Sequence, residues 1–293
     1  MDLGESKLKS EWVDMTFERQ GRGALEYFPC RYGKSKILFR GPKRDLSNPY
    51  VAFLGGTETY GRFIEKPFPW LVEQETGKTM VNLGCVNAGI DVFRREPTVL
   101  RMCYNADVTV IQLMGAQNMS NRFYSVHPRR NDRFIRASTL MKTIFREVDF
   151  TDFTFNRHML MTLHTLSPER FEVVKDELKA AWLARMQALL ETISGKVVLF
   201  WFSERTPEDP DQVTAAGLGV DPLFVDRKML ETLRPLVADI VEFQPSKKAI
   251  HSGTEGMVFS PLEVPAADTM LGVKAHQEAA SVLAKSLSKL VGK

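Results

Sequence analysis

The stretch "YVAFLGGTETYG" at residues 50–61 decides how the chain is read. Tyr50 to Leu54 form an apolar and aromatic run of strand length, with no polar position to mark a solvent face. Gly55 and Gly56 then allow a tight turn and a close approach of backbones. The residues after them are polar and lead into a helix-like segment. A strand, a glycine turn and a helix in that order form the first half of a βαβ unit. In a parallel α/β sheet, ligands bind beyond the carboxyl ends of the strands. Thr57, the first polar side chain after the glycines, and its neighbour Glu58 are therefore candidate site residues. The turn is neither a Walker phosphate loop, since its lysine and spacing are wrong, nor a dinucleotide G-x-G-x-x-G.

The same alternation continues outward. "TMVNLG" (79–84), "DVTVIQLMG" (107–115), "KVVLFWFS" (196–203) and "DIVEFQ" (239–244) read as four further strands. The third is apolar nearly throughout, as expected when both sheet faces are covered. Residues 60–77 read as a helix broken by Pro67 and Pro69 and closed by Gly77. Pro97 suits the first position of a helix over 97–106. The clearest helix follows Ser167, its cap, and Pro168, and ends at Gly195. It repeats Phe171, Val174, Leu178, Trp182, Met186, Leu189 and Ile193 at helical spacing. Helices are also expected over 226–238 and 274–291. Residues 119–166 look irregular at their start. Strands alternating with helices predict a mostly parallel five-stranded sheet in a three-layer α/β/α domain over 46–293. Residues 1–45 read as an N-terminal extension.

Composition narrows the function classes. A net charge of +3 over 293 residues excludes a global polyanion binder, and without a nucleic-acid motif it disfavours nucleic acid as a partner. No apolar run reaches membrane-spanning length, and residues 1–15 lack the apolar core of a secretory signal. Cys30, Cys85 and Cys103 are odd in number and widely spaced. They suggest neither a disulfide framework nor a metal site, and the expected compartment is the reducing cytoplasm. No cofactor motif is present. The cations are clustered, however. Arg31, Lys34, Lys36, Arg40, Lys43 and Arg44 have no acid among them and read as a solvated basic surface. Arg122, Arg129, Arg130, Arg133 and Arg136 follow the third strand, with Asp132 their only acid. Arg122, Arg129 and Arg130 are candidate contacts to an anionic small molecule or glycan, since guanidinium forks pair with carboxylate, phosphate or sulfate. Glu58 is read with them as a substrate contact, as a base on water, or as a solvent-facing carboxylate.

"FLGGTETYG" resembles the first block of the SGNH (GDSL-type) hydrolases, a strand followed by G-D-S-x-T-x-G. Gly55, Thr59 and Gly61 match; Gly56 stands at the Asp position and Thr57 at that of the nucleophilic Ser. "VNLGCVNAG" (81–89) resembles the second block, whose glycine gives an oxyanion N–H, a place for Gly89 or Gly84. "VIQLMGAQN" (110–118) resembles the third, G-x-N-D, with Gly115 matching and Gln117 and Asn118 following. The closing D-x-x-H has no match, since Leu271 and Lys274 occupy its positions; Asp268 and His276 lie nearby. The resemblance covers residues 50–285 in order and spacing. It implies a flavodoxin-like fold and O-acyl ester hydrolysis or acyl transfer, on an acylated carbohydrate or lipid-linked substrate.

Such chemistry needs a nucleophile, a base and oxyanion donors. On the resemblance, Thr57 is the nucleophile or its remnant, Gly89 and Asn118 are donors, and His276 lies nearest the place of the base; His127, which follows the third strand, is a second candidate base from its position. Two alternatives stand beside it. One is a catalytically inactive binding protein on the same scaffold, favoured by Leu271 and Lys274. The other is a sulfotransferase-like nucleotide binder using Arg130 and Ser138.

Overall fold

The computed structural model describes residues 25–210, 213 and 217–291. Its centre is a parallel sheet of β1 (Tyr50–Leu54), β2 (Thr79–Asn82), β3 (Val108–Gln112), β6 (Val197–Phe202) and β7 (Asp239–Phe243), in the order β2-β1-β3-β6-β7. Numbering the sheet strands alone gives 2-1-3-4-5, the flavodoxin-like order. Between β3 and β6 lies an antiparallel hairpin, β4 (Tyr124–His127) and β5 (Arg130–Ala137).

Side chains along the strands alternate between two cores, as a pleated sheet covered on both faces requires. On β6, Val198, Phe200 and Phe202 enter one core, while Val197, Leu199 and Trp201 enter the other. On β1, Val51 and Phe53 face the first and Ala52 and Leu54 the second.

The helices follow in chain order: α1 (Thr57–Tyr60), α2 (Phe68–Thr76), α3 (Ile90–Arg94), α4 (Pro97–Asn105), α5 (Thr139–Ile144), α6 (Asn156–Leu166), α7 (Pro168–Ile193), α8 (Arg227–Leu233), α9 (Lys247–His251), α10 (Val264–Ala267) and α11 (Val273–Leu290). α2 and α11 cover one face, through Phe68 and Val72 and through Ala279, Leu283 and Leu287. α3, α4, α7 and α8 pack on the other, where Trp182 of α7 donates from its indole to Met114 O at 2.8 Å.

Three features depart from the sequence reading. α7 ends at Ser194, in the left-handed region at φ 52°, one residue before the expected Gly195. The stretch 119–166, expected to be irregular at its start, holds the β4–β5 hairpin together with α5 and α6. Arg40, read as part of a solvated surface, is a buried clamp. Its guanidinium donates to Tyr60 O (3.2 Å), Gly61 O (2.6 Å) and Glu65 O (2.7 Å), fixing the link between α1 and α2. Of residues 1–45, those up to 24 lie outside the described residues. From 25 onward the chain is packed, with Tyr32, Ile37 and Phe39 buried in the core that α7 covers.

Gly55 illustrates how tightly the first turn is built. A Cβ there would meet Thr59 Oγ1 at 2.0 Å and Gln112 Oε1 at 2.5 Å. At Gly56 the nearest atom would be Glu58 Oε2, at 3.6 Å. Gly55→Ala is therefore expected to destabilise the protein by about 2 kcal/mol or more through overpacking. Gly56→Ala should stay within about 1 kcal/mol of wild type. Urea midpoints check the pair, and equal midpoints would refute the packing argument.

Candidate active site

The chain leaves β1 for β2 on one side of the sheet, then crosses to β3 on the other. The crevice at the carboxyl ends of β1 and β3 is thus a topological switch point, where open α/β sheets bind ligands. A cleft of about 370 Å³ occupies it. Gly56, Thr57 and Glu58 come from the turn after β1, Gln112, Met114, Gly115 and Asn118 from β3 and its exit, and Asn87 from the loop after β2. Asp132 of β5, Phe155 and Arg157 at the start of α6, and Asp221 from the loop after β6 complete the wall.

Gln112 organises the floor. Its Oε1 accepts from Gly56 N (2.8 Å) and Thr59 Oγ1 (2.9 Å), so the glycine turn is tied to β3 through one buried side chain. Thr57 is tied to Asn87: its Oγ1 accepts from Asn87 N (3.0 Å) and donates to Asn87 Oδ1 (3.3 Å). Asn87 Nδ2 donates to Asp132 Oδ2 (3.2 Å), which turns the amide oxygen toward Thr57, and Arg130 holds Asp132 in turn (Nη2 to Oδ2, 3.1 Å). The hydroxyl proton of Thr57 thus faces an amide oxygen, which is not a base.

Glu58 has a different environment. The residue is half-buried and lines the cleft. Burial, with the negative charge of Asp221 as a second cause, pushes its pKa up to about 7. A carboxyl poised near neutrality in a cleft suits proton transfer. Asp221 Oδ1 accepts from Gln117 Nε2 (2.8 Å) and Leu223 N (3.2 Å) and pairs with Arg157 (3.4 Å). Buried Arg205 braces the same loop by donating to Pro222 O and to Val225 O (2.7 Å). Asn118 Oδ1 accepts from Asn156 Nδ2 (3.2 Å), and Asn118 lines the cleft.

Several residues singled out from sequence lie elsewhere. Among the described residues no histidine lines the cleft. His276 is fully buried between α11 and α2; its Nδ1 accepts from Phe68 N (3.1 Å) and its ring stacks on Phe68. Burial holds its pKa at about 3, so the neutral ring belongs to the core. His127 closes the β4–β5 turn, with Nδ1 accepting from Arg129 N (3.3 Å) and Arg130 N (3.2 Å). Gly89 N donates to buried Asn131 Oδ1 (3.1 Å), so it is spent on capping α3 rather than offered to a ligand. Gly84 packs on Tyr60, where a Cβ would meet its backbone N at 2.3 Å. Arg122 pairs with Glu177 of α7 (2.6 Å), Arg130 pairs with Asp132, and neither they nor Arg129 line the cleft. Ser138 is the cap of α5. The arginine that does line it, Arg157, and its partner Asp221 were not singled out from sequence. Their only signal was position, in long polar segments after β3 and β6.

A family model described as "Domain of unknown function (DUF6473)" matches residues 15–291. The chain belongs to this family. No curated protein matches the DUF6473 chain. Among solved structures it is similar to a lipase from a goat rumen metagenome, at 12% identity and a TM-score of 0.40, over 83% of this chain and 100% of that one. It is also similar to a salicylyl-acyltransferase from a tetracycline biosynthetic pathway, at 11% identity and a TM-score of 0.37, over 85% of this chain and 57% of that one. A gut microbial diltiazem-metabolizing enzyme matches at 13% identity and a TM-score of 0.36, over 85% of this chain and 48% of that one. No helix of the DUF6473 chain among the described residues is long and apolar enough to cross a membrane.

Proposed function

We propose that this protein hydrolyses an O-acyl ester, or transfers its acyl group to an acceptor hydroxyl, with Glu58 as the general base. The observation that carries this reading is the Glu58 carboxyl, poised near pH 7 in the cleft at the β1/β3 switch point. Thr57 and Glu58 are consecutive on α1, so their side chains diverge, and the base serves a water or acceptor hydroxyl rather than Thr57. That oxygen gives its proton to Glu58 and bonds to the ester carbonyl carbon. The carbonyl electron pair moves onto oxygen, facing the Asn118 amide and the Thr57 N–H that heads α1. Collapse expels the alkoxide, which takes the proton back from Glu58. The first-block resemblance to SGNH hydrolases supports ester chemistry, and an acylated carbohydrate or lipid-linked molecule as substrate. Arg157 at the rim suits a substrate that also carries an anion.

A non-catalytic binding role is the second reading. It is favoured by the engaged Thr57 hydroxyl and by the lack of a cleft histidine among the described residues. Initial rates on activated aryl esters and acetylated sugars separate the two. Thr57→Ala is expected to keep its rate within tenfold of wild type, and Asn118→Ala to lose about 10²-fold as an oxyanion donor. Complete loss in Thr57→Ala would make Thr57 the nucleophile. Wild-type rates equal to buffer across the panel would leave the binding reading.

A further inference from the structure

A larger cleft than that of Glu58 lies at the opposite end of the sheet. It holds about 1390 Å³ and is lined by Tyr50, which opens β1, by Asp107, just before β3, and by one side of α4. Six cations line it: Lys34, Lys36, Lys43, Arg44, Arg95 and Arg101, against three carboxylates. Two of the cations are engaged, Arg44 with Glu73 (2.7 Å) and Arg95 with Asp91 (3.8 Å). Lys43 lies over the Tyr32 ring at 5.9 Å. Lys34, Lys36 and Arg101 are exposed and pair with no carboxylate among the described residues.

The loop carrying the lysines is held in place. Cys30 and Phe39 form an antiparallel bridge across its base. Gly33 turns it at φ 50°, against Thr98 of α4. Ser35 is buried; its Oγ accepts from Ile37 N (3.1 Å) and donates to Glu96 Oε2 (2.9 Å). That bond turns one of the three carboxylates toward the loop. Unpaired like charges on an ordered loop repel one another, and a multiply charged anion relieves that repulsion. The basic surface expected from sequence is therefore concave and preorganised.

We propose that this cleft binds a small ligand bearing two or more phosphate groups, at a site separate from the Glu58 cleft. Guanidinium and ammonium groups that line one cleft from two elements suit adjacent phosphates, and a preorganised loop lowers the cost of ordering.

The test uses the full chain with inorganic tripolyphosphate, followed by calorimetry and by thermal shift, with sulfate and citrate at matched ionic strength. Saturable binding is expected at least tenfold tighter than for either control anion. A Lys34→Ala, Lys36→Ala, Arg101→Ala variant should weaken it at least tenfold. These side chains are exposed, so the variant should fold. A Lys142→Ala, Lys228→Ala, Lys285→Ala variant removes the same charge from other exposed positions and should bind as wild type does. Binding no tighter than sulfate, equal binding of citrate, or equal loss in both triple variants would overturn the assignment. A single-stranded oligonucleotide is added as a last ligand; if it binds over a hundredfold tighter than tripolyphosphate, the small-ligand assignment also fails.

Discussion

Glu58→Gln is expected to lower the rate of ester hydrolysis by about 10²–10⁴-fold near neutral pH, the usual contribution of a positioned general base. Wild-type activity should rise with pH through about 7, as the carboxylate forms, whereas the residual activity of the variant should lack that limb. Because Asp221 contributes to the raised pKa, Asp221→Asn should move the limb toward acid. A merely structural glutamate would leave the profile in place. Stability separates lost chemistry from lost structure. A carboxyl whose pKa is raised from 4.5 to about 7 by folding favours the fold when protonated. That contribution is present below about 4.5 and is lost as pH rises through about 7. Gln cannot ionise, so Glu58→Gln should be at least as stable as wild type at pH 8 in urea titrations. A folded variant with wild-type rates would remove Glu58 from the mechanism.

Acid should destabilise the fold strongly through His276. Folding depresses the imidazole pKa from 6.5 to about 3, chiefly by burial, with Arg40 adding repulsion. The sign is that of a group buried neutral: its contribution is intact above about 6.5 and is lost as pH falls toward 3. The full difference is on the order of 5 kcal/mol, a large share of a typical domain's stability. His276→Phe removes the titration and keeps a ring against Phe68, at the cost of the acceptor for Phe68 N, about 1–3 kcal/mol at neutral pH. The variant should thus be less stable than wild type at pH 7, yet lose less stability between pH 6.5 and 4. Equal pH slopes for the two proteins in denaturant titrations would discard this account.

The strands and α7 were legible because their signals are local. "VVLFWF" is apolar on both faces, and seven residues of α7 repeat at helical spacing. The β4–β5 hairpin was hidden by its own arginines. Tyr124, Val126, Phe134 and Ala137 are buried, but the charged residues between them read as an anion-binding loop. Arg40 shows the same limit: charge alone reads as surface, and only the fold brings three carbonyls to its guanidinium. His276 followed family spacing toward a catalytic place, whereas its position among Ala275, Ala279 and Ala280 puts it in the core.

The sequence by itself determined where the strand ends lie: a glycine turn after β1 carrying Thr57 and Glu58, and an exit from β3 carrying Asn118. Both follow from where a parallel sheet ends its strands. Only the tertiary structure decided which groups meet there. Asp132, Arg157 and Asp221 arrive from three distant segments, and no periodicity links residues so far apart in the chain. Burial, which raises the Glu58 pKa and lowers that of His276, is likewise a property of the packed molecule and not of either residue.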